Sequence, residues 1–446
     1  MFYKDTGGVM LQKVSHFFDH LMQKYTPDPY VIAVLLTFFI FILSFITTPH
    51  GATDLVLFWG NGFWSLISFT LQMVMILVGG YIVASSEPVQ RLLNYIASFA
   101  KNKSQAVILV TVVSAIACWL NWGMGLVVGA FLSQAVSRNR PECNFRILVA
   151  SSYSGFLVWH GGLSASIPLL LNTEGNFSQK WIGDVIPVSE TLFSGLNLSL
   201  VIGLLLLLPV INVLMSKNLS PLQIQNEEAE DDEKTVSLSV TVAEKLETSA
   251  WLTWCLVLIG ISYLAVLILK QQFSLNLNTI NYLFLFLGLL LHKNFKNFIK
   301  ATTQAADKIG PLLIQYPLYG ALMGLMTESG FADQISNLFI SISNSTTLPL
   351  MSFFSAGIVN FFVPSGGGQW AVQAPIVIQA AQNLGVEVSK VALAVSWGDA
   401  WTNMAQPFWA VPLLTIAGLK VKDIMGFCLI TLIVSGLFIS TVLLLA

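Results

Sequence analysis

The chain has 446 residues, 55% of them hydrophobic and only 10% charged, with a net charge of −2. A soluble domain carries roughly 25% charged residues. A mean hydropathy of +0.74 therefore excludes an ordinary soluble enzyme and gives an all-α polytopic membrane protein. No basic stripe suggests a nucleic-acid partner. The four cysteines (118, 143, 255 and 428) form no C-x-x-C pair, so neither a disulfide framework nor a cysteine metal centre is expected.

Residues 1–29 form a charged leader in which Leu11, Val14, Phe18, Leu21 and Tyr25 share one helical face, predicting a helix lying on the membrane surface. The first apolar run, 30–48, has no small-residue cleavage end, so no removed signal is expected. A helical crossing needs roughly 20 mostly apolar residues. Nine such runs follow, near 30–48, 66–86, 146–172, 190–215, 251–270, 276–292, 310–327, 390–418 and 423–446. Two further runs, 104–137 and 348–383, are interrupted midway by glycine-rich breaks. Their halves are too short to span comfortably, so each is predicted to be a re-entrant hairpin.

Charge supports that count. With the N-terminus cytoplasmic and the C-terminus periplasmic, only Lys180, Lys270 and Lys390 of the 21 basic residues fall outside. The order crossing, surface helix, crossing, surface helix, hairpin, broken crossing, crossing occurs twice, over 30–215 and 276–446. The lone crossing at 251–275 makes the second unit inverted. Between the units, 216–250 is a charged cytoplasmic linker carrying Glu227, Glu228, Glu230, Asp231, Asp232 and Glu233.

The candidate site comes from the four interruptions. Backbone that leaves a helix at membrane depth must be completed by protein, ions or a solute, and paired broken segments in two halves mark a transporter's binding site. The first hairpin breaks at Asn121, Trp122 and Gly123. The second breaks from Asn360 through Pro364, Ser365, Gly366, Gly367, Gly368, Gln369 and Trp370. The crossing after each hairpin holds glycine, proline and small polar residues: Trp159, His160, Gly161, Gly162 and Ser164 in the first, Trp397, Asp399, Trp401, Asn403, Gln406 and Trp409 in the second. Both crossings are expected to unwind there.

Seven of the 12 tryptophans lie in or beside these motifs. Indole faces suit a short alkyl chain, and indole N–H groups suit its polar end. No arginine or lysine occurs in the motifs, which favours a loosely held monoanion over a di- or tricarboxylate. Asp399 is the acid placed most firmly inside a crossing, so it is assigned to coupling with H⁺ or Na⁺; the plain alternative is a local cap. His160 is assigned to the same coupling, or is simply satisfied by unwound backbone. The candidate place for a Na⁺ is near Asn121, Ser365 and Asp399, and no cofactor is expected. The triple glycine reads as backbone exposed to a solute rather than as packing, whereas Gly320-x-x-x-Gly324 reads as a packing face.

With these motifs the chain resembles the bacterial short-chain fatty acid transporters. The matching stretches are Asn121-Trp122-Gly123 with Gly125 to Ala130, Val363 to Gly368, and Asn403 to Ala410. The resemblance implies uptake of small monocarboxylates such as butyrate or acetoacetate across the bacterial inner membrane. It also implies inverted repeats, an elevator motion and a homodimer. In that family glycine is usual at the position of His160 and glutamate at that of Asp399. Two other readings stand beside it: a channel using the glycine tip as a filter, and an intramembrane enzyme. No H-E-x-x-H or G-x-S-x-G motif supports the enzyme.

Overall fold

The structure is a computed structural model that describes residues 29–217, 219–223, 241–306, 309–361, 363–406 and 409–445. The surface helix expected in 1–28 and the acidic run of the linker lie outside these residues. The first unit comprises α1 (Pro29–Thr47), α2 (Ala52–Gly62), α3 (Ile67–Ser85), α4 (Glu87–Ala97), α5 (Lys103–Leu120), α6 (Trp122–Asn139), α7 (Phe145–Ser154), a 3₁₀ turn (Gly155–Gly161), α8 (Ser166–Leu171), α9 (Gln179–Ile182) and α10 (Gly195–Ser216). After α11 (Val242–Glu247) and α12 (Ala250–Leu269) the order repeats. It runs through α13 (Leu277–His292), α14 (Phe295–Ala306), α15 (Gly310–Glu328), α16 (Phe331–Ile342), α17 (Leu348–Asn360), α18 (Gly366–Leu384), α19 (Val388–Thr402), α20 (Ala410–Ala417) and α21 (Val421–Leu445).

Seven helical stretches among the described residues are long and apolar enough to cross a membrane. Their outer faces are apolar too: Phe38, Phe39 and Ile46 of α1 and Ile259 and Leu269 of α12 are all well exposed. Such a surface is stable only against lipid, and the protein is a multi-pass membrane protein. The crossing expected from residue 190 becomes helical only at Gly195, where Ser194 caps the first turn by accepting from the Asn197 N–H at 3.2 Å.

One of the seven, α5, is half of a hairpin. Cys118 of α5 lies against Gly125 of α6, and Ser114 against Gly129. The residue numbers fall on one side of the turn as they rise on the other, so the two helices run antiparallel. The base is closed by Arg140 Nε donating to Ala100 O at 2.6 Å. A single residue makes the reversal. Asn121 is extended (φ −155, ψ 120), and its side-chain oxygen caps α6 by accepting from Met124 N–H at 2.9 Å. Ser365 repeats this geometry (φ −160, ψ 113) and caps α18 by accepting from Gly368 N–H.

The first tip ends against the middle of α3, one of the seven crossing-length helices, and the second against the first half of α15. Asn121 Nδ2 donates to Ile76 O of α3 at 3.2 Å, and Ser365 Oγ meets Tyr316 OH of α15 at 2.7 Å. The bases sit at opposite ends. That of the first packs with Ala84 and Leu93, beyond the C-terminal half of α3. That of the second reaches α9, where Gln382 Nε2 donates to Trp181 O at 2.9 Å. The start of the linker is not free chain: Leu222 bridges Asn144, and Phe145 N–H donates to Leu222 O at 2.8 Å.

Candidate functional site

The glycines of the breaks turn out to be helical, and packing accounts for each member of the triple glycine. A Cβ at Gly366 would lie 2.4 Å from His160 Cε1, one at Gly367 2.0 Å from Phe69 Cε1, and one at Gly368 2.4 Å from Tyr319 Cδ2. Three elements thus press directly on the first turn of α18. The same logic governs the first unit, where a Cβ at Gly162 would meet Trp119 O and one at Gly161 would meet the Trp397 ring. Gly123 lies against Leu77 and Asn121. Gly320 and Gly324 pack on the backbone of Gly62, the close-packing face their spacing suggests.

Where the hairpin tips meet, Trp122, Trp159, Trp409, Ser365, Gly366 and Gly367 line one cavity. Met73, Phe156, Ser166, Leu312 and Tyr316 complete the wall. The free space is about 10 Å³, room for about one water. A short-chain acid therefore fits only after side chains part. Trp122 stands edge-on to Trp159 at 6.2 Å and to Trp409 at 5.0 Å, while Phe156 stacks on Trp159. The indole N–H groups of Trp122 and Trp159 are buried without an acceptor.

The N-termini of α6 and α18 open onto this space, and the first N–H groups of a helix have no intrahelical acceptor. Ser164 Oγ takes the N–H of Trp122 at 2.8 Å, and Ser365 takes that of Gly368. The N–H groups of Gly366 and Gly367, in the first turn of α18, have no intrahelical acceptor and border the cavity.

Beside the cavity lies a polar cluster. His160 Nδ1 and Asp399 Oδ2 are 2.9 Å apart, both side chains fully buried. On the other side of the ring, Ser166 Oγ is 2.9 Å from Nε2, and Ile167 N–H donates to Nε2 at 3.3 Å. A backbone N–H can only donate, so Nε2 is an acceptor and the ring hydrogen sits on Nδ1, pointing at Asp399. The two residues assigned to coupling are therefore in contact with each other. Trp159 stacks on the imidazole at 4.0 Å, and Gly366 rests against it.

Asp399 lies within α19, one turn before the helix ends at Thr402; the break itself is at Asn403 to Gln406. Its carbonyl, like others in a last turn, needs a partner from outside the helix. Asn360 Nδ2 and Asn403 Nδ2 both donate to it at 2.9 Å. Asn360 Nδ2 also reaches Thr402 Oγ1 at 3.0 Å, and Gln406 Nε2 reaches Asn360 O at 3.4 Å. The opposite oxygens of Asn360, Asn403, Gln406 and Gln369, with Asp399 Oδ1, are buried without a donor. Pro364 is buried beside Ser365.

Three tryptophans from the motifs are held away from the cavity. Trp370 Nε1 donates to Ser178 Oγ at 2.8 Å, Trp397 Nε1 to Asn197 Oδ1 at 3.0 Å, and Trp401 Nε1 to Leu432 O at 2.7 Å. These bonds tie the second unit to the first and to α21. Trp370→Phe is accordingly expected to cost about 1–2 kcal/mol of stability by leaving Ser178 short of a donor. A lower melting midpoint in detergent with an unchanged substrate KM would bear this out; a changed KM with no loss of stability would contradict it.

Residues 10–446 match the short chain fatty acid transporter family. The chain belongs to that family. Two relatives carry names that assign them to short-chain fatty acid transport. That of Escherichia coli (strain K12) is 42% identical over 432 residues, covering 96% of this chain and 98% of its own. That of Haemophilus influenzae (strain ATCC 51907 / DSM 11121 / KW20 / Rd) is 41% identical over 436 residues, covering 95% and 97%. Among solved structures, the Alcanivorax borkumensis YdaH transporter aligns with a TM-score of 0.62 at 13% identity, covering 94% of this chain and 98% of its own. Neisseria gonorrhoeae MtrF, from a class of antimetabolite efflux pumps, aligns at 0.59 and 13%, covering 97% of each. At that identity the likeness is one of fold. The protein is a transporter, not an enzyme, and the Ser166–His160–Asp399 chain is a transporter's polar network despite its hydrolase-like order.

Proposed function

We propose that the chain is an ion-coupled secondary carrier that takes up small monocarboxylates, such as butyrate or acetoacetate, across a bacterial inner membrane. The carrying observation is the tip cavity: two tryptophans whose buried indole N–H groups lack an acceptor line it together with the first residues of α18. A carboxylate would accept from Trp122 Nε1, Trp159 Nε1 and the Gly366–Gly367 amides, with the alkyl chain against Phe156, Trp409 and Leu312. Without a lysine or arginine at the cavity, the anion is held by dipoles and released readily. Tip residues Asn121 and Gly123 would position rather than touch it, because both ends of the Asn121 amide are already bonded.

Coupling would run through Asp399. Ser166 both lines the cavity and reaches His160 Nε2, whose Nδ1–H faces Asp399, so a proton has a hydrogen-bonded route between the cavity and Asp399. A second reading, Na⁺ coupling, is favoured by the unpartnered oxygens of Asn360, Asn403, Gln406 and Asp399, which are hard ligands of the kind Na⁺ takes. The two hairpins and two broken crossings would move as one unit against a homodimeric scaffold that includes 30–48 and 276–292. The N-terminus would face the cytoplasm and the C-terminus the periplasm.

Purified protein in liposomes is expected to show saturable butyrate uptake and counterflow. Linear flux without counterflow would instead indicate a channel. Trp159→Phe keeps the ring and loses the N–H. A hydrogen bond to a charged acceptor contributes about 1.5–3 kcal/mol, so the apparent affinity for butyrate should fall roughly 10- to 100-fold. An unchanged KM would remove the indole from the carboxylate site.

A further inference from the structure

Apart from the tip cavity there is a separate chamber of about 720 Å³, within the 300–1,000 Å³ typical of small-molecule sites. Ser65 just ahead of α3, with Ser68 and Gln72 on it, lines the chamber together with Asn278 and Asn281 of α13 and Glu174 after α8. Glu174, the single charged group of that lining, is exposed, as are Ser65 and Ser68, so the chamber opens at the surface. Amides and hydroxyls alternate on the wall with Leu71, Met75, Leu170 and Leu285. Gln72 Nε2 donates to Asn278 Oδ1 and Asn281 Nδ2 to Gln72 O, while the buried Asn281 Oδ1 has no donor. The exposed Ser65, Ser68 and Glu174 at its mouth are groups that water solvates and lipid does not.

Phe69 is part of this lining and only 4% exposed. Its Cε1 occupies the place a Gly367 Cβ would take, and Gly367 lines the tip cavity. The ring is therefore the partition between the two spaces. Phe177 at 5.8 Å, from the chamber side, and Tyr316 at 5.7 Å, from the cavity side, bracket it. One helical turn further along α3, Met73 faces the tip cavity, and Ile76 O holds Asn121. The spacing 69, 73, 76 is one face of a helix, so α3 carries a continuous stripe of about 10 Å from chamber to hairpin tip.

We propose that the chamber is the outer vestibule of the transport path, and that the Phe69 ring is the gate that closes it from the tip cavity and limits the length of acid admitted. The proposal rests on reading the tip cavity as the substrate site and the α8–α9 side as the outer face. It adds to that reading a water-filled approach and a specificity residue on an unbroken crossing. Opening needs no backbone break: turning one phenyl ring off Gly367, whose missing Cβ leaves the ring its seat, joins the two spaces.

The test uses a cysteine-less background and a membrane-impermeant maleimide on right-side-out and inverted vesicles. Ser68→Cys is expected to label from the outside, and Met73→Cys to label slowly. Adding Phe69→Ala should speed labelling of Met73→Cys at least tenfold, with Phe69→Leu, which preserves an apolar filling, in between. In uptake assays Phe69→Ala should raise the octanoate-to-butyrate rate ratio at least tenfold. Ser68→Cys reacting only in inverted vesicles, or Met73→Cys reacting equally fast with and without the ring, overturns the proposal. Labelling as expected in a protein that carries no short-chain acid would leave the gate standing and sink the substrate assignment instead.

Discussion

Gly367→Ala is expected to cut the initial rate of butyrate uptake roughly 10- to 100-fold while the protein still folds and extracts from the membrane. A methyl group there would lie 2.0 Å from Phe69 Cε1 and 2.1 Å from its Cζ, well inside van der Waals contact. The clash resolves only if α18 backs away or the ring swings out. Overpacking of this kind costs about 1–3 kcal/mol, and here it falls on the one arrangement in which the cavity is shut. A carrier needs that closed arrangement in every cycle. The strain is specific to a pair, so Gly367→Ala combined with Phe69→Ala should lose less than the two single losses together, a non-additive result that residues in contact give. Additive losses in the double variant would mean that the two groups do not meet during transport.

Asp399→Asn is expected to abolish gradient-driven accumulation while sparing counterflow exchange. The substitution preserves shape and leaves an amide oxygen to accept from His160 Nδ1. The bonds from Asn360 and Asn403 go to the residue's backbone carbonyl and are untouched. Only the ability to take up a proton, or to hold a cation with charge, is lost. A charge at membrane depth costs about 2.5–3.5 kcal/mol on insertion scales, a cost that a coupling role explains and a capping role does not. Uptake by the native protein should depend steeply on either pH or Na⁺ when the two are varied independently. The Asp399→Asn variant should lose that dependence; retaining it would move coupling elsewhere.

The architecture is legible in the sequence because lipid leaves few options. Apolar runs of crossing length mark most of the helices, and interruptions in 104–137 and 348–383 correspond to the antiparallel pairs α5–α6 and α17–α18. The triple glycine, by contrast, has a different cause from the one its pattern suggests. Gly366 to Gly368 sit in a regular first turn and serve close approach by His160, Phe69 and Tyr319, contacts between residues 49 to 298 positions apart that no local pattern reveals. The same distance in sequence hides the division among the tryptophans. Trp122, Trp159 and Trp409 reach the cavity, whereas Trp370, Trp397 and Trp401 spend their N–H groups on Ser178, Asn197 and Leu432.

Half of the cavity wall is invisible in the sequence for a related reason. Met73, Leu312 and Tyr316 belong to α3 and α15, helices without a break at those positions and with no motif to flag them. The tip contacts of Asn121 and Ser365 on those helices are what bring them in. Ser166, at the start of α8, carries no signal because its partner His160 is joined to it only through the 3₁₀ turn and the extended segment between. By contrast, His160 and Asp399 stand out separately on chemistry alone, and the fold puts them 2.9 Å apart.

A structure of the protein in lipid with a brominated short-chain acid, located by the anomalous signal of bromine, addresses the proposed site most directly. Bromine is expected beside Phe156, Trp409 and Leu312, with the carboxylate at the Trp122 and Trp159 N–H groups and the start of α18. An acid bound elsewhere, with those two indoles still unpartnered, would contradict a shared site between the hairpin tips.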